Sequence, residues 1–398
     1  MTDRHRRFLF LFALASAGGF VAYVPLLTLI LPAKIGALAG DARIEWLGAV
    51  SLVGAATASI GNFAFGWASD IIGTRRVWAA AGLALTLVTY ALLYFAASAL
   101  EIVFAVIGYQ LALNMLLAPM TAWAADVVPD SDKGLLGGML AAGPPMGAVA
   151  GVLVTMPIVT AESTQLAVIC LLVVCLTGPL LALGTAKRHA AAPHDASQKL
   201  QAYSDFGLMW LARLLVQIAW AVLFTFLLYF FQSHSDPASQ FQIALLSAAT
   251  LLVAFPLAVV LGRMSDRIGP RRPFLIAAVI AASLGLLIMA WQEQLAWAMI
   301  GYAIFGCATA CFLALHSAFS MQLLPSPSRH GRDLGVLNLT NTLPNLIAPA
   351  LAIWLVPGRG FGPLLTLLAL LMVLAGLCIH FVRIDGASAK AGLALHER

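Results

Sequence analysis

Long apolar runs separated by short polar turns are the feature that most restricts how this chain can fold. A helix needs about 20 mostly apolar residues to cross a bilayer. The sequence contains twelve such runs, and only 10% of its 398 residues are charged, whereas soluble domains carry about 25%. We therefore expect an all-α membrane protein with twelve transmembrane helices. The runs are 8–31, 45–67, 77–97, 100–124, 135–157, 164–186, 205–231, 240–262, 274–291, 295–321, 334–356 and 361–382.

Two of the polar turns repeat each other. Residues 66–76 read GWASDIIGTRR and residues 262–272 read GRMSDRIGPRR, with seven of eleven positions identical and an offset of 196 residues. Pro129 and Pro325, after the fourth and tenth runs, are separated by the same offset. Two landmarks with one offset predict a duplicated six-helix unit. We therefore divide the chain into bundles at 1–186 and 205–398, the second with a short cytoplasmic tail, joined by a cytoplasmic linker at 187–204.

The distribution of positive charge predicts the orientation. If the N-terminus is cytoplasmic, the inner segments hold 18 of the 22 Lys and Arg, and the outer loops hold three. Such an excess marks the cytoplasmic side. We expect a multi-pass protein of the cell (inner) membrane with both termini in the cytoplasm. Because the basic residues lie in short loops, we expect no nucleic-acid partner.

The repeated turn, G-x-x-S-D-x-x-G-x-R-R, resembles the signature loop of the major facilitator superfamily of secondary transporters. The resemblance implies two pseudo-symmetric six-helix bundles that work by alternating access, with substrate near the midplane. It also implies a gating role at the cytoplasmic surface. The alternative is a capped turn whose charges only fix the topology. The residues concerned are Asp70, Arg75, Arg76, Asp266, Arg271 and Arg272.

The seventh to eleventh runs resemble one branch of that superfamily, the glycoside–cation symporter-like group that includes proton–sucrose carriers. The matching stretches are TFLLYFF at 225–231 and R-H-G-R-D-L-G-x-x-N-x-x-N-x-x-P at 329–344. Similar bacterial sequences tend to carry Asp where this chain has His316. The resemblance implies symport of a sugar-like solute with a proton or another cation.

Polar side chains inside the apolar runs are the candidate substrate site, because such groups must face protein or water in a bilayer. Arg213 and Gln217 lie one helical turn apart in the seventh run. Asn338, Asn341 and Asn345 follow one face of the eleventh run, and Asn114 lies in the fourth. Amides and hydroxyls suit a neutral polar solute. The alternatives are snorkelling of Arg213 to the headgroups and simple interhelical hydrogen bonding.

His316, in the tenth run, is the candidate proton-coupling residue, because histidine titrates near physiological pH. The alternative is a hydrogen-bonded packing role. By these boundaries none of the 17 Asp and Glu lies near the bilayer midplane. A proton-driven carrier would then use His316 or a carboxylate at a membrane edge; otherwise the protein is a uniporter or exchanger.

Two other functions fit parts of the pattern. A drug or metabolite efflux antiporter would use the same fold. A membrane-embedded enzyme is the weaker alternative, because the sequence contains no clustered catalytic set. The sequence has no G-x-x-x-x-G-K-[ST] loop, which argues against ATP-driven pumping by this chain. We expect no cofactor and no metal. The expected partners are a small-molecule substrate, a proton or other cation and the lipid bilayer, with the protein a monomer.

Overall fold

A computed structural model describes residues 3–128, 132–184, 202–268, 272–322 and 330–382. Almost all of these residues are helical, and they contain no strand. The helices are α1 (Asp3–Pro25), α2 (Leu31–Ala39), α3 (Arg43–Ile72), α4 (Arg75–Phe95), α5 (Ala99–Val127), α6 (Lys133–Leu140), α7 (Gly143–Val154), α8 (Glu162–Leu183), α9 (Ala202–Gln232), α10 (Gln240–Ile268), α11 (Arg272–Trp291), α12 (Leu295–Gln322), α13 (His330–Leu355) and α14 (Gly362–Phe381).

The predicted all-α membrane architecture is confirmed. Each of the twelve apolar runs falls largely on helical residues. Within the described ranges, ten helical stretches are long and apolar enough to cross a membrane. The first stretch, His5–Ile72, is 68 residues long and contains the first two runs, and the apolar helix Leu339–Leu355 in the eleventh run is shorter.

The helices depart from the predicted runs in two places that contain prolines. The first run is interrupted after Pro25 by a π-helical turn, Leu26–Ile30, and continues as α2 to Ala39. The fifth run is divided into α6 and α7, which begins Gly143-Pro144-Pro145. Proline has no backbone N–H and clashes with the preceding turn, so a helix widens or breaks at such positions.

The described residues form two compact units. The first contains the described part of 1–192 together with Val222–Ala249 and Asn345–Gly358. Its helices approach closely where α4 meets α5: a Cβ at Gly82 would lie 2.3 Å from the backbone nitrogen of Leu116. The C-terminal part of α9 belongs to this unit, where the Tyr229 hydroxyl donates to the Pro32 carbonyl over 2.7 Å. This unit therefore combines the N-terminal helices with segments from later in the chain.

The second unit contains the described parts of 193–221, 250–344 and 359–398. Its α11 packs on α12 where Gly285 faces Gly301, and on α14 where the Ser283 hydroxyl donates to the Ala369 carbonyl. The predicted division at 187–204 stays a sequence prediction. That linker lies outside the described residues except for its last three, which begin α9.

Candidate functional site

The Arg213 guanidinium joins three helices of the second unit. From α9, Nε donates to the Thr340 hydroxyl on α13 over 3.1 Å. Nη1 donates to the Ser317 hydroxyl on α12 over 2.9 Å. Nη2 donates to Oδ1 of Asn341 on α13 over 3.3 Å. Three side chains, from two later parts of the sequence, therefore meet at one charged group.

Gln217 extends this cluster by one helical turn of α9. Its Nε2 donates to Asn341 Oδ1 over 2.9 Å, so one amide oxygen accepts from both Gln217 and Arg213. Asn341 is exposed, whereas Thr340 is fully buried. The structure thus brings together three predicted substrate-site residues, Arg213, Gln217 and Asn341, with one side open. We refer to Arg213, Gln217, Ser317, Thr340 and Asn341 as the Arg213 cluster.

Local helix geometry orients the hydroxyls of this cluster. The Ser317 hydroxyl donates to the Leu313 carbonyl one turn earlier over 2.8 Å. Because this bond uses the hydroxyl hydrogen, the oxygen lone pairs of Ser317 point outward and accept from Arg213. The arginine is therefore held by acceptors whose own orientation is already set by α12.

His316 lies next to Ser317 on α12 and is fully buried. Its Nε2 is 2.9 Å from the Met209 carbonyl oxygen on α9. A carbonyl can only accept, so Nε2 carries the hydrogen. The imidazole also packs against Phe312, with ring centroids 5.2 Å apart. The predicted proton site therefore lies beside the cluster.

The other predicted substrate residues are Asn338, Asn345 and Asn114. The Asn338 side chain is outside the described part of the structure, and Asn345 is exposed on α13. Asn114 is buried in the first unit. Its Oδ1 accepts from Asn62 Nδ2 over 3.3 Å, and its Nδ2 donates to the Gln110 carbonyl over 2.9 Å. Asn114 thus forms part of a polar contact between α3 and α5 within the first unit.

The first signature turn is organised by Arg75. Gly73 ends α3 with a φ of +72°, a conformation that glycine adopts without strain. Arg75 then begins α4, pairs with Asp70 and reaches Asp126 at the end of α5, with 3.2 Å between Nε and Oδ2. Its Nη1 also donates to the buried Ser69 hydroxyl over 2.8 Å. One arginine therefore connects the ends of α3, α4 and α5.

The second arginine of each turn has the same local role in its own unit. Arg76 Nη2 donates to the Ala182 carbonyl, at the C-terminal end of α8, over 2.9 Å. Arg272, the repeat partner of Arg76, donates to the His380 carbonyl at the C-terminal end of α14. A cation at that end satisfies a free carbonyl and complements the helix dipole. The side chains of Asp266 and Arg271 lie outside the described residues.

Ser317, Thr340 and Asp126 were not identified as functional residues from the sequence. The available signals were weak: Thr340 adjoins the polar stripe of the eleventh run, and Ser317 adjoins His316. Asp126 was recognisable only as a carboxylate at the end of a membrane helix. Which helices face one another decides these contacts, and that information is absent from a single local pattern.

Comparison with known proteins identifies a family. A family model described as the Major Facilitator Superfamily matches residues 8–235 and 209–395. Among solved structures, the human organic anion transporter MFSD10 (TETRAN) is similar, with 17% sequence identity and a TM-score of 0.58. The match covers 95% of this chain and 100% of that chain. At this identity the likeness supports the fold alone. No curated protein sequence matches the chain.

Proposed function

The chain belongs to the Major Facilitator Superfamily, and we propose that it carries a small polar, sugar-like solute across the membrane by alternating access, coupled to protons. Membership makes the protein a multi-pass membrane transporter with the two six-helix bundles of that fold. We assign both termini to the cytoplasmic side of the cell (inner) membrane, because 18 of the 22 Lys and Arg then lie in inner segments.

The observation that carries the substrate proposal is the Arg213 cluster. Its guanidinium, amides and hydroxyls converge inside segments that are otherwise apolar. A polar group left unsatisfied in hydrocarbon costs several kcal/mol, so such groups face protein or a water-filled path. Because Asn341 is exposed, we assign this side of the cluster to the substrate path. The resemblance of the seventh to eleventh runs to glycoside–cation symporters supports a hydroxyl-rich solute.

We assign proton coupling to His316. Its ring bonds to α9 through Met209 and lies next in sequence to Ser317, which accepts a hydrogen bond from Arg213. Adding a proton to the ring places a second positive charge beside the cluster. That charge alters how the cluster holds its solute, which is a physical basis for linking proton and solute movement.

We assign gating to the first signature turn. Asp70 is the exposed member of the Arg75 network, with 61% of its side chain accessible, whereas the Arg75 side chain is 11% accessible. An exposed carboxylate held by a nearly buried arginine is able to exchange partners when the bundles rock. The second signature turn has the same role in this proposal through Asp266, Arg271 and Arg272.

A thermal-shift screen of the purified full-length protein tests the proposal. We expect sugars or sugar acids to raise the melting temperature, because a solute that binds only the folded state stabilises it. Hydrophobic cations that stabilise the protein while sugars do not would favour the efflux antiporter.

Matched variants locate the binding site in the same screen. Asn341→Ala should reduce the ligand-induced shift, because the cluster loses its shared acceptor. Leu214→Ala, beside Arg213 on another face of α9, is the control and should keep the shift. Equal shifts in both variants would place the solute away from the Arg213 cluster.

A further inference from the structure

The partners of Arg213 are all electrically neutral. They are two hydroxyls and one amide oxygen, contributed by Ser317, Thr340 and Asn341. The ion pairs found among the described residues are His5–Asp132, Lys34–Glu162 and those of Arg75 with Asp70 and Asp126, and none involves Arg213. Within this part of the chain, the positive charge of Arg213 is therefore solvated by dipoles and not balanced by a carboxylate.

The three helices that these bonds connect, α9, α12 and α13, carry few acids in their sequences. The α12 sequence contains no Asp or Glu. The one acid of α9 is Asp205, eight residues before Arg213, or about 12 Å along the helix axis. The one acid of α13 is Asp333, seven residues before Thr340, or roughly 10 Å. The acids of these three helices are therefore about two helical turns from the level of the guanidinium.

Among the described residues, the hydrogen bonds of Arg213 leave two of its donors unused. A guanidinium has five N–H groups: one on Nε and two on each terminal nitrogen. Each of the three nitrogens makes one bond to a described side chain. One N–H on Nη1 and one on Nη2 therefore make no bond to a described side chain. Two donors on one planar fork match the two oxygens of a carboxylate, phosphate or sulfonate.

Part of the cluster is also accessible at the surface of the described structure. Arg213 and Gln217 are partly exposed, and Asn341, which binds both, is exposed. A buried charge without a counterion is expensive in a membrane, and a ligand of opposite charge removes that cost. An anion would supply both the charge and the acceptors that the described helices do not provide.

We propose that the solute carries an anionic group, such as the carboxylate of a sugar acid, and that this group binds the free fork of Arg213. The inference rests on the proposed function, because it assumes that the Arg213 cluster lies on the substrate path. It narrows the proposed substrate class from any small polar, sugar-like solute to one that carries a negative charge and enters from water. Gln217 and Asn341 then bind hydroxyls on the same molecule.

Charged thiol reagents test this proposal without knowledge of the solute. In a cysteine-free version of the full chain, cysteine is placed by Asn341→Cys and, as a control on an exposed loop, by Ser235→Cys. Each protein is purified in a phosphate-free detergent. The reaction rates with the anionic sulfonatoethyl and the cationic trimethylammonioethyl methanethiosulfonates are then measured.

We expect the anionic reagent to be favoured at position 341 by about tenfold or more relative to the control position, because a unit charge within a few ångströms acts in a poorly screened site. Arg213→Gln should remove this preference, and Arg213→Lys should keep it because the charge remains. If Arg213→Gln does not fold, the preference for the anionic reagent at position 341 relative to position 235 is still measured with Arg213 present, and this comparison tests the proposal.

Three results would overturn the proposal, and each has a distinct meaning. No reaction at position 341 would show that water does not reach the cluster and would remove the proposed function as well. Reaction without an anionic preference would remove only the anion inference. A preference that is present in detergent but abolished in vesicles containing phosphatidylglycerol would assign the fork to a lipid headgroup instead of a solute.

Discussion

Replacing Arg75 by glutamine removes the connection between three helix ends and leaves a shorter, uncharged polar side chain. Arg75 pairs with Asp70 and Asp126 and donates to the Ser69 hydroxyl. The two carboxylates differ in their surroundings. Asp70 is 61% accessible, whereas Asp126 is 27% accessible. This difference allows the contribution of the turn to stability to be separated from its contribution to transport.

The accessibilities set the expected magnitudes. An exposed ion pair contributes about 0–1 kcal/mol to the free energy of unfolding, so Asp70→Asn should cost less than about 1 kcal/mol. Hydrogen bonds to charged groups contribute about 1.5–3 kcal/mol each. Because Arg75→Gln weakens the bonds to Asp126 and to the buried Ser69 together, we expect a loss of roughly 2–4 kcal/mol.

The assay compares melting temperature and transport for the two variants in purified, reconstituted protein. Asp70→Asn should melt close to wild type but carry solute much more slowly, because gating depends on its charge. Arg75→Gln should lower both the melting temperature and transport. The reasoning is refuted if Asp70→Asn destabilises the protein as much as Arg75→Gln does. Wild-type turnover in Asp70→Asn would reduce the turn to a topological anchor.

Three further predictions follow from single contacts. Arg76→Gln and Arg272→Gln should each lower stability by up to about 1 kcal/mol in thermal melts, since each variant loses the bond to a carbonyl at a helix C-terminus. A loss of stability in only one of the two variants would show that the two arginines do not have the same role. His316→Gln should flatten the pH dependence of uptake and retain exchange, and an unchanged profile would move the proton site elsewhere. Gly82→Val should prevent recovery of monodisperse protein in size-exclusion chromatography, because its Cβ would collide with α5; Gly137→Ala, whose Cβ would meet no described atom of another segment within 4 Å, should behave as wild type.

The helical architecture was predictable because membrane helices satisfy their backbone within one segment. Length and apolarity alone therefore identify a span. The local geometry within those spans was less predictable from the sequence. The π-helical turn after Pro25 and the break before Pro144 depend on how neighbouring helices re-satisfy the freed backbone groups. A proline in the sequence indicates that a disturbance is present but not whether the helix widens or divides.

The candidate site was predictable in part for a similar reason. Arg213 and Gln217 stood out because charged and amide groups are rare in apolar runs, and Asn341 stood out through its polar stripe. Ser317 and Thr340 did not, because small hydroxyls commonly bond to the preceding turn of their own helix. Their role depends on the packing of α9, α12 and α13 around one guanidinium. That packing is a long-range property of the fold.

The central claim, that this chain moves a polar solute across a membrane, is tested most directly by counterflow in proteoliposomes. Vesicles are loaded with the unlabelled solute identified by the thermal-shift screen, and entry of the labelled solute is followed over time. The account predicts transient accumulation of label above the external concentration, which an Asn341→Ala variant should reduce. Label that enters no faster than in protein-free vesicles, although the same solute stabilises the purified protein, would contradict it.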